Sequence, residues 1–202
     1  PSSLFLCINT VLVFNMAIAL INKQKHKEKF RLVSNPKIVI LGLVHEPPEE
    51  IRYSSNSVIR MVEVAGNAYD ILGQQIQSVG RSKIIYLCGS FMLYRNDKTY
   101  RCYEVTHEGL QWTRQKKKLH PVTKLETGEF TYQDMGKVNI SIQFDTKPPF
   151  TSDNPTQFGY IYSTDELKAG DIVGEFLIRE TRKEYNIYTC RFEYQVVQPY
   201  GL

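Results

Sequence analysis

The chain has 202 residues, 42% of them hydrophobic and 12% aromatic, which suits one large or two small globular domains with a real core and no covalent staples. Its formal charge of +4 is local. Lys23, Lys25, Lys27, Lys29 and Arg31 face only Glu28 within residues 1–35, and the remainder is balanced. A general affinity for polyanions is thereby not implied, so any nucleic-acid contact must be local.

Leu4–Ile21 is an apolar run followed by the lysine cluster. It is long enough for a membrane span and ends near Ala17-Ile-Ala19, a signal-cleavage pattern. The basic residues follow the run instead of preceding it, which argues against secretion. A span would hold the rest on the cytoplasmic or matrix side. Residues 1–35 therefore read as a targeting or anchoring segment, with an N-terminal helix packed in a larger assembly as the alternative.

Thirteen Tyr and ten Phe, with many Val, Ile and Thr, favour strands along the rest of the chain. Lys37–Val44 is a nearly continuous apolar strand, ended by Pro47-Pro48. Ile51–Tyr53 returns as a short strand and Ser54–Ser57 turns. Val58–Val64 is the next strand, closed by Gly66. Asn67 is positioned to cap a helix over Ala68–Gln77, where Ala68, Ile71, Leu72 and Ile76 share a face, with Gly80 as its stop. Ile84–Leu93 is a strand with Gly89 at a bulge or barrel corner. Tyr94–Lys98 is a hairpin tip and Thr99–Val105 alternates back. Strands with one short helix before the last pair follow the plan of an OB-fold barrel.

Residues 114–135 read as a basic linker, with Arg114, Lys116, Lys117, Lys118 and Lys124. Beyond it the first part is echoed. Lys137–Pro149 resembles Lys37–Pro48, and Gly174–Phe192 resembles Gly89–Tyr103 in sharing Gly-x-Phe and Tyr-x-Cys. Asp165–Gly170 parallels the turn at Gly80. The expected fold is all-β: an OB-fold barrel over 36–113 with one short helix, plus a second degenerate OB-like or β-rich part over 136–202. Chance likeness between strand-rich segments is the competing explanation of the echo.

Cys7, Cys88, Cys102 and Cys190 form no CxxC or Cys/His cluster, so buried free thiols and a reducing or organellar matrix compartment are expected. His26, His45, His107 and His120 are scattered, and no metal site or cofactor is expected. The Asn139-Ile-Ser141 sequon falls inside a strand pattern. No phosphate-binding loop, nucleophile elbow or zinc-protease helix occurs. Carboxylates such as Glu49/Glu50 and Asp165/Glu166 lie beside turns and read as solvated charges. The chain is not expected to be an enzyme.

Several of these segments, in this order, resemble the single-stranded DNA-binding protein family of bacteria and mitochondria. Lys37–Leu43 is similar to its opening strand and Pro48–Ser55 (PEEIRYSS) to its following acidic-hydrophobic-Arg-Tyr segment. Val62–Gly66 with Ala68–Ile76 is similar to its strand and helix, Ile84–Tyr103 to its central strand and hairpin, and Val105–Trp112 to its closing strand. The resemblance covers about 80 residues and implies non-specific binding of single-stranded DNA or RNA. It also departs. Only seven residues separate Tyr53 from Met61, so most of the DNA-embracing loop is absent, and Ile59 or Arg60 stands where the family has Trp.

The candidate binding residues are Tyr94, Arg95, Lys98 and Tyr100 on the hairpin, with Arg52, Tyr53 and Arg60 as an opposite wall. Trp112, Arg114, Lys116, Lys117 and Lys118 would extend a basic exit path. Aromatics would stack bases and cations would track phosphates. Two functions stand side by side. One is a single-stranded nucleic-acid-binding protein of the mitochondrion or another organelle matrix. The other is a structural subunit of an organellar ribonucleoprotein or nucleoprotein complex, or a homo-oligomer, that uses the barrel for protein contact. Membrane anchoring through residues 1–35 stays open.

Overall fold

The computed structural model describes residues 27–49, 57–65, 70–89, 99–144 and 156–195. Leu4–Ile21, Arg52, Tyr53, Tyr94, Arg95 and Lys98 lie outside the described residues. All twelve regular elements within them are strands. The first six are β1 (Lys27–Leu32), β2 (Val39–His45), β3 (Ile59–Val64), β4 (Gln74–Ser78), β5 (Ile84–Cys88) and β6 (Thr99–Glu104). They close in the order β1-β2-β3-β6-β5-β4. Then come β7 (His107–Leu119), β8 (Glu126–Phe144), β9 (Thr156–Ser163), β10 (Ile172–Val173), β11 (Phe176–Glu184) and β12 (Ile187–Gln195). Their closed order is β7-β8-β9-β12-β11-β10, so both sheets have one topology.

Three expectations are corrected. Lys27–Leu32 belongs to the first barrel instead of the 1–35 segment. Phe30 and Leu32 point into the core while Lys27 and Lys29 stay exposed, and the strand pairs with both β2 and β4. The helix over 68–77 is replaced, where described, by a turn at Leu72-Gly73 and by β4. Gly73 has φ of 70°, a conformation that a right-handed helix cannot pass through. From Gln74 the alternation that buries Ile76 and Ser78 wins over the helical spacing. Residues 114–135 are no linker: β7 and β8 pair from His107–Ile140 to Leu119–Glu126.

The echo in the sequence has a structural counterpart. Val39–His45 and Lys137–Phe144 both lie in the second strand of their barrels, and the two Tyr-x-Cys segments lie in the sixth. Cys102 and Cys190 are core residues of the first and second barrel, with Tyr100 and Tyr188 packed against those cores. The turn register differs from the expected one. Gly170 precedes β10 as Gly73 precedes β4, and Gly174 follows β10 as Gly80 follows β4, all with positive φ.

Only Val105 and Thr106 separate β6 from β7. The outer faces of the barrels meet in a third cluster of Ile59, Leu87, Tyr103, Tyr162 and Ile187. Tyr103 stacks on Tyr162 with centroids 4.3 Å apart. The β11–β12 turn, Tyr185-Asn186, has positive φ at both residues, as a tight two-residue hairpin requires. Its tip lies on Gly89, where an added Cβ would stand 2.4 Å from the Tyr185 carbonyl oxygen. Close approach of the second barrel, in addition to any corner in the strand, accounts for glycine there. Gln75 completes the junction, donating to Thr164 Oγ1 and accepting from Asn139 Nδ2, both at 2.9 Å.

Candidate interaction surface

The seven described candidates divide between the two barrels and an arm. Arg60 on β3 is half-buried; its guanidinium donates to the Ser57 and Ile59 carbonyls and lies 3.6 Å from Glu46 and 3.4 Å from Glu104. Tyr100 packs against the first core. Trp112 is a core residue of the second barrel, and its Nε1–H donates to Asp171 Oδ2 at 2.9 Å. Arg114 binds the same carboxylate through Nε (2.9 Å) and Nη2 (3.0 Å), and Nη2 also donates to the Glu166 carbonyl. The Lys168 amide is a further donor to Asp171 at 2.8 Å.

Asp171 is almost wholly buried, so its charge is tolerated only because these donors and the Arg114 cation replace water. Hydrogen bonding to Asp171 raises the Arg114 guanidinium above its ordinary pKa. The pair fastens β7 to the turn before β10. Trp112 and Arg114, expected as the start of a basic exit path, are thus brought together as a structural lock.

Beyond Thr113, the last β7 residue that pairs with β10, β7 has only β8 as a partner. Arg114–Leu119 with Glu126–Gln133 therefore form a two-stranded arm. The turn at its end is ordered by His120, whose Nδ1 accepts from the Val122 and Thr123 amides. Lys117 pairs with Glu126 at 2.9 Å and Lys118 with Glu129 at 2.7 Å. The latter pair is exposed, and its hydrogen bond raises the Lys118 pKa and lowers that of Glu129. Lys116 is exposed. Two of the three lysines of the run are thus already neutralised by the opposite strand.

The arm also carries apolar side chains that are absent from the sequence-based candidates. Val122, Leu125 and Tyr132 are 82%, 69% and 60% exposed, and Leu119 and Phe130 are exposed by about half. Phe130 and Tyr132 are two residues apart on β8 and therefore share a face. The legible signal is the alternation Glu129-Phe-Thr-Tyr-Gln133, which the basic composition of the neighbouring stretch masks.

Among the described residues, no group of three or more His, Cys, Asp or Glu is placed to hold a metal ion. No helix among them is long and apolar enough to cross a membrane. No family model, no curated protein and no solved structure matches this chain.

Proposed function

We propose that this chain is a non-catalytic assembly protein whose tandem barrels present the β7–β8 arm to a protein neighbour in a larger complex. The carrying observation is the arm: a two-stranded ribbon, exposed on both faces, with Leu119, Val122, Leu125, Phe130 and Tyr132 in solvent. An isolated two-stranded ribbon is marginal in water, and clustered exposed apolar residues are characteristic of contact surfaces. The ribbon's free edges also suit the addition of a strand from a partner. An organellar nucleoprotein complex is the setting suggested by the likeness of residues 36–113 to single-stranded DNA-binding proteins.

Direct binding of single-stranded DNA or RNA is the second reading. It draws on the closed first barrel, whose six strands are one more than the five of an OB-fold. Against it stand the engaged cations Arg60, Arg114, Lys117 and Lys118. Its stacking and phosphate contacts would fall to Arg52, Tyr53, Tyr94, Arg95 and Lys98, helped by Tyr100 and Lys116.

Photo-crosslinkers at Phe130 and Tyr132, compared with one at exposed Val39 on the first barrel, test the assignment together with oligonucleotide titration. Arm-specific crosslinks to one polypeptide, or to a second copy of this chain, support assembly. Equal labelling from Val39, with oligonucleotide affinity tighter than about 10⁻⁴ M at physiological salt, would replace it with the second reading.

A further inference from the structure

Cys88 and Cys102 stand directly opposite each other on β5 and β6, at the end of that ladder. The backbone bonds show which kind of pair they make. The Gly89 amide donates to the Arg101 carbonyl across the same two strands, whereas the Cys88 carbonyl turns away to accept from the Gly73 amide. Hydrogen-bonded and non-hydrogen-bonded pairs alternate along an antiparallel ladder, so Cys88 and Cys102 form a non-hydrogen-bonded pair, with Cα atoms about 4.5 Å apart. That separation falls within the roughly 4.4–6.8 Å that a disulfide spans.

Both side chains point into the first core and are fully buried. The Cys102 thiol donates to Cys88 Sγ at 2.8 Å, inside the ~3.5–4.0 Å of ordinary contact between carbon atoms, which are smaller. A free cysteine often serves as a small apolar side chain, and Cys190 fits that account. It lies in the other core, where Thr181 Oγ1 donates to its sulfur at 3.5 Å. The same account does not explain two thiols placed in contact at one register position.

We propose that Cys88 and Cys102 are a reversible disulfide site that clips β5 to β6 on exchange with a low-molecular-weight disulfide such as oxidised glutathione. One cysteine thiolate attacks the glutathione disulfide, releasing one glutathione thiolate and leaving a mixed disulfide. The second cysteine thiolate then attacks the protein sulfur of that mixed disulfide and releases the other glutathione. Each departing thiolate takes up a proton given up by a cysteine, so two protein thiols are oxidised and one glutathione disulfide is reduced to two thiols. The mixed disulfide carries a tripeptide, for which a core with both cysteines 0% exposed has no room. Exchange therefore takes place while β5 and β6 are apart, during folding or opening. The clip sits beside the seam between the barrels. Leu87 and Tyr103, the preceding register pair, belong to the shared cluster, and Gly89 and Arg101, one residue further on, meet the backbone and ring of Tyr185. A covalent ring through residues 88–102 removes freedom from the unfolded chain, and so secures the end of the first barrel on which the second rests.

The test refolds the full chain from urea with reduced glutathione alone or with a mixture of reduced and oxidised glutathione. Free thiols are then alkylated and disulfides assigned by peptide mass without reduction, and thermal unfolding is followed with and without dithiothreitol. The oxidised sample should carry a Cys88–Cys102 link and unfold about 5–10 °C above its dithiothreitol-treated form. Cys88→Ala and Cys102→Ala should lose both the link and the difference in Tm, and Cys190→Ala should keep both. The native sequence decides the matter even where a variant fails to fold. Cys88 and Cys102 recovered as free thiols from the oxidising mixture, or linked to Cys7 or Cys190 instead, would overturn the proposal. So would a Cys88–Cys102 link that leaves Tm unchanged or lower.

Discussion

Asp171 shows how one side chain can decide what its neighbours are free to do. It accepts from Trp112, from Arg114 twice and from the Lys168 amide, so Arg114 is committed to the fold. Asp171→Asn keeps the shape but removes the charge that balances Arg114. A loss of about 3 kcal/mol in urea unfolding is expected, at the low end for stranding a buried partner because Arg114 retains some solvent. Arg114→Ala should also lower stability, without changing the salt slope of any oligonucleotide binding. Burial acts differently on the thiols and Tyr86. It pushes the Cys190 thiol from 9.0 up to about 12 and the Tyr86 phenol from 10.0 up to about 12. Cys102 is raised well above 9.0 by burial first and by its contact with Cys88 second. Below pH 9 both folded and unfolded chains keep these protons. Above it the unfolded thiols ionise first while the folded ones do not, so the unfolded state is favoured. The urea midpoint should be insensitive to these groups between pH 7 and 8.5, then fall from about pH 9, with Tyr86 adding to the slope above about 10. A midpoint flat to pH 11 would contradict the burial of all three.

At the scale of elements, the strands carrying alternation or a continuous apolar run were legible: Val39–His45, Ile59–Val64, Ile84–Cys88 and Thr99–Glu104 all form where the pattern puts them. β1 was hidden because Lys27, Lys29 and Arg31 alternate with Phe30 and Leu32, and the basic half of that alternation resembles a flanking cluster. β4 was hidden because it contains one apolar residue, Ile76, whose helical spacing to Ile71 and Leu72 mimicked an amphipathic face. The candidate cations were visible as residue types, but their acidic partners lie on other strands or turns and cannot be read from spacing. Arg101 left a trace: it shares the alternation of Thr99 and Tyr103, all three buried, and a cation there points to a second body covering that face. Two substitutions test these elements. Gly89→Ala would force a Cβ against the Tyr185 carbonyl and should cost about 1–3 kcal/mol, with loss of protection at the β11–β12 turn by hydrogen exchange. Phe130→Ser with Tyr132→Ser, on the exposed arm, should change stability by no more than about 0.5 kcal/mol while abolishing arm-dependent crosslinking.

For the whole molecule the question is whether two barrels of one topology behave as one folding unit. Each has its own core, which by itself would allow separate unfolding. Against that, the connection is two residues long, and Ile59, Leu87, Tyr103, Tyr162 and Ile187 form one buried cluster drawn from both barrels. Losing one barrel would expose that apolar face on the other, at roughly 25 cal/mol per Å², so partial unfolding is penalised and a single transition is expected. The chain supplies its own probes. Its one tryptophan, Trp112, reports the second barrel, and buried Cys88 and Cys102 report the first. Tryptophan fluorescence and thiol labelling, resolved by peptide mass to Cys88 and Cys102 because Cys190 lies in the second core, should therefore follow coincident urea transitions in the native sequence. Ile187→Ala removes a fully buried side chain from the shared cluster and should cost about 2–5 kcal/mol. The loss should appear as a separation of the two curves instead of a common shift, because it weakens the seam while leaving each barrel's own core intact. A matched substitution inside one core, Ile161→Ala, should move the tryptophan curve and leave the seam-dependent coupling in place. Curves that are already separate in the native sequence would mean that the interface contributes too little to couple the barrels. The two would then unfold as independent domains joined by Val105 and Thr106.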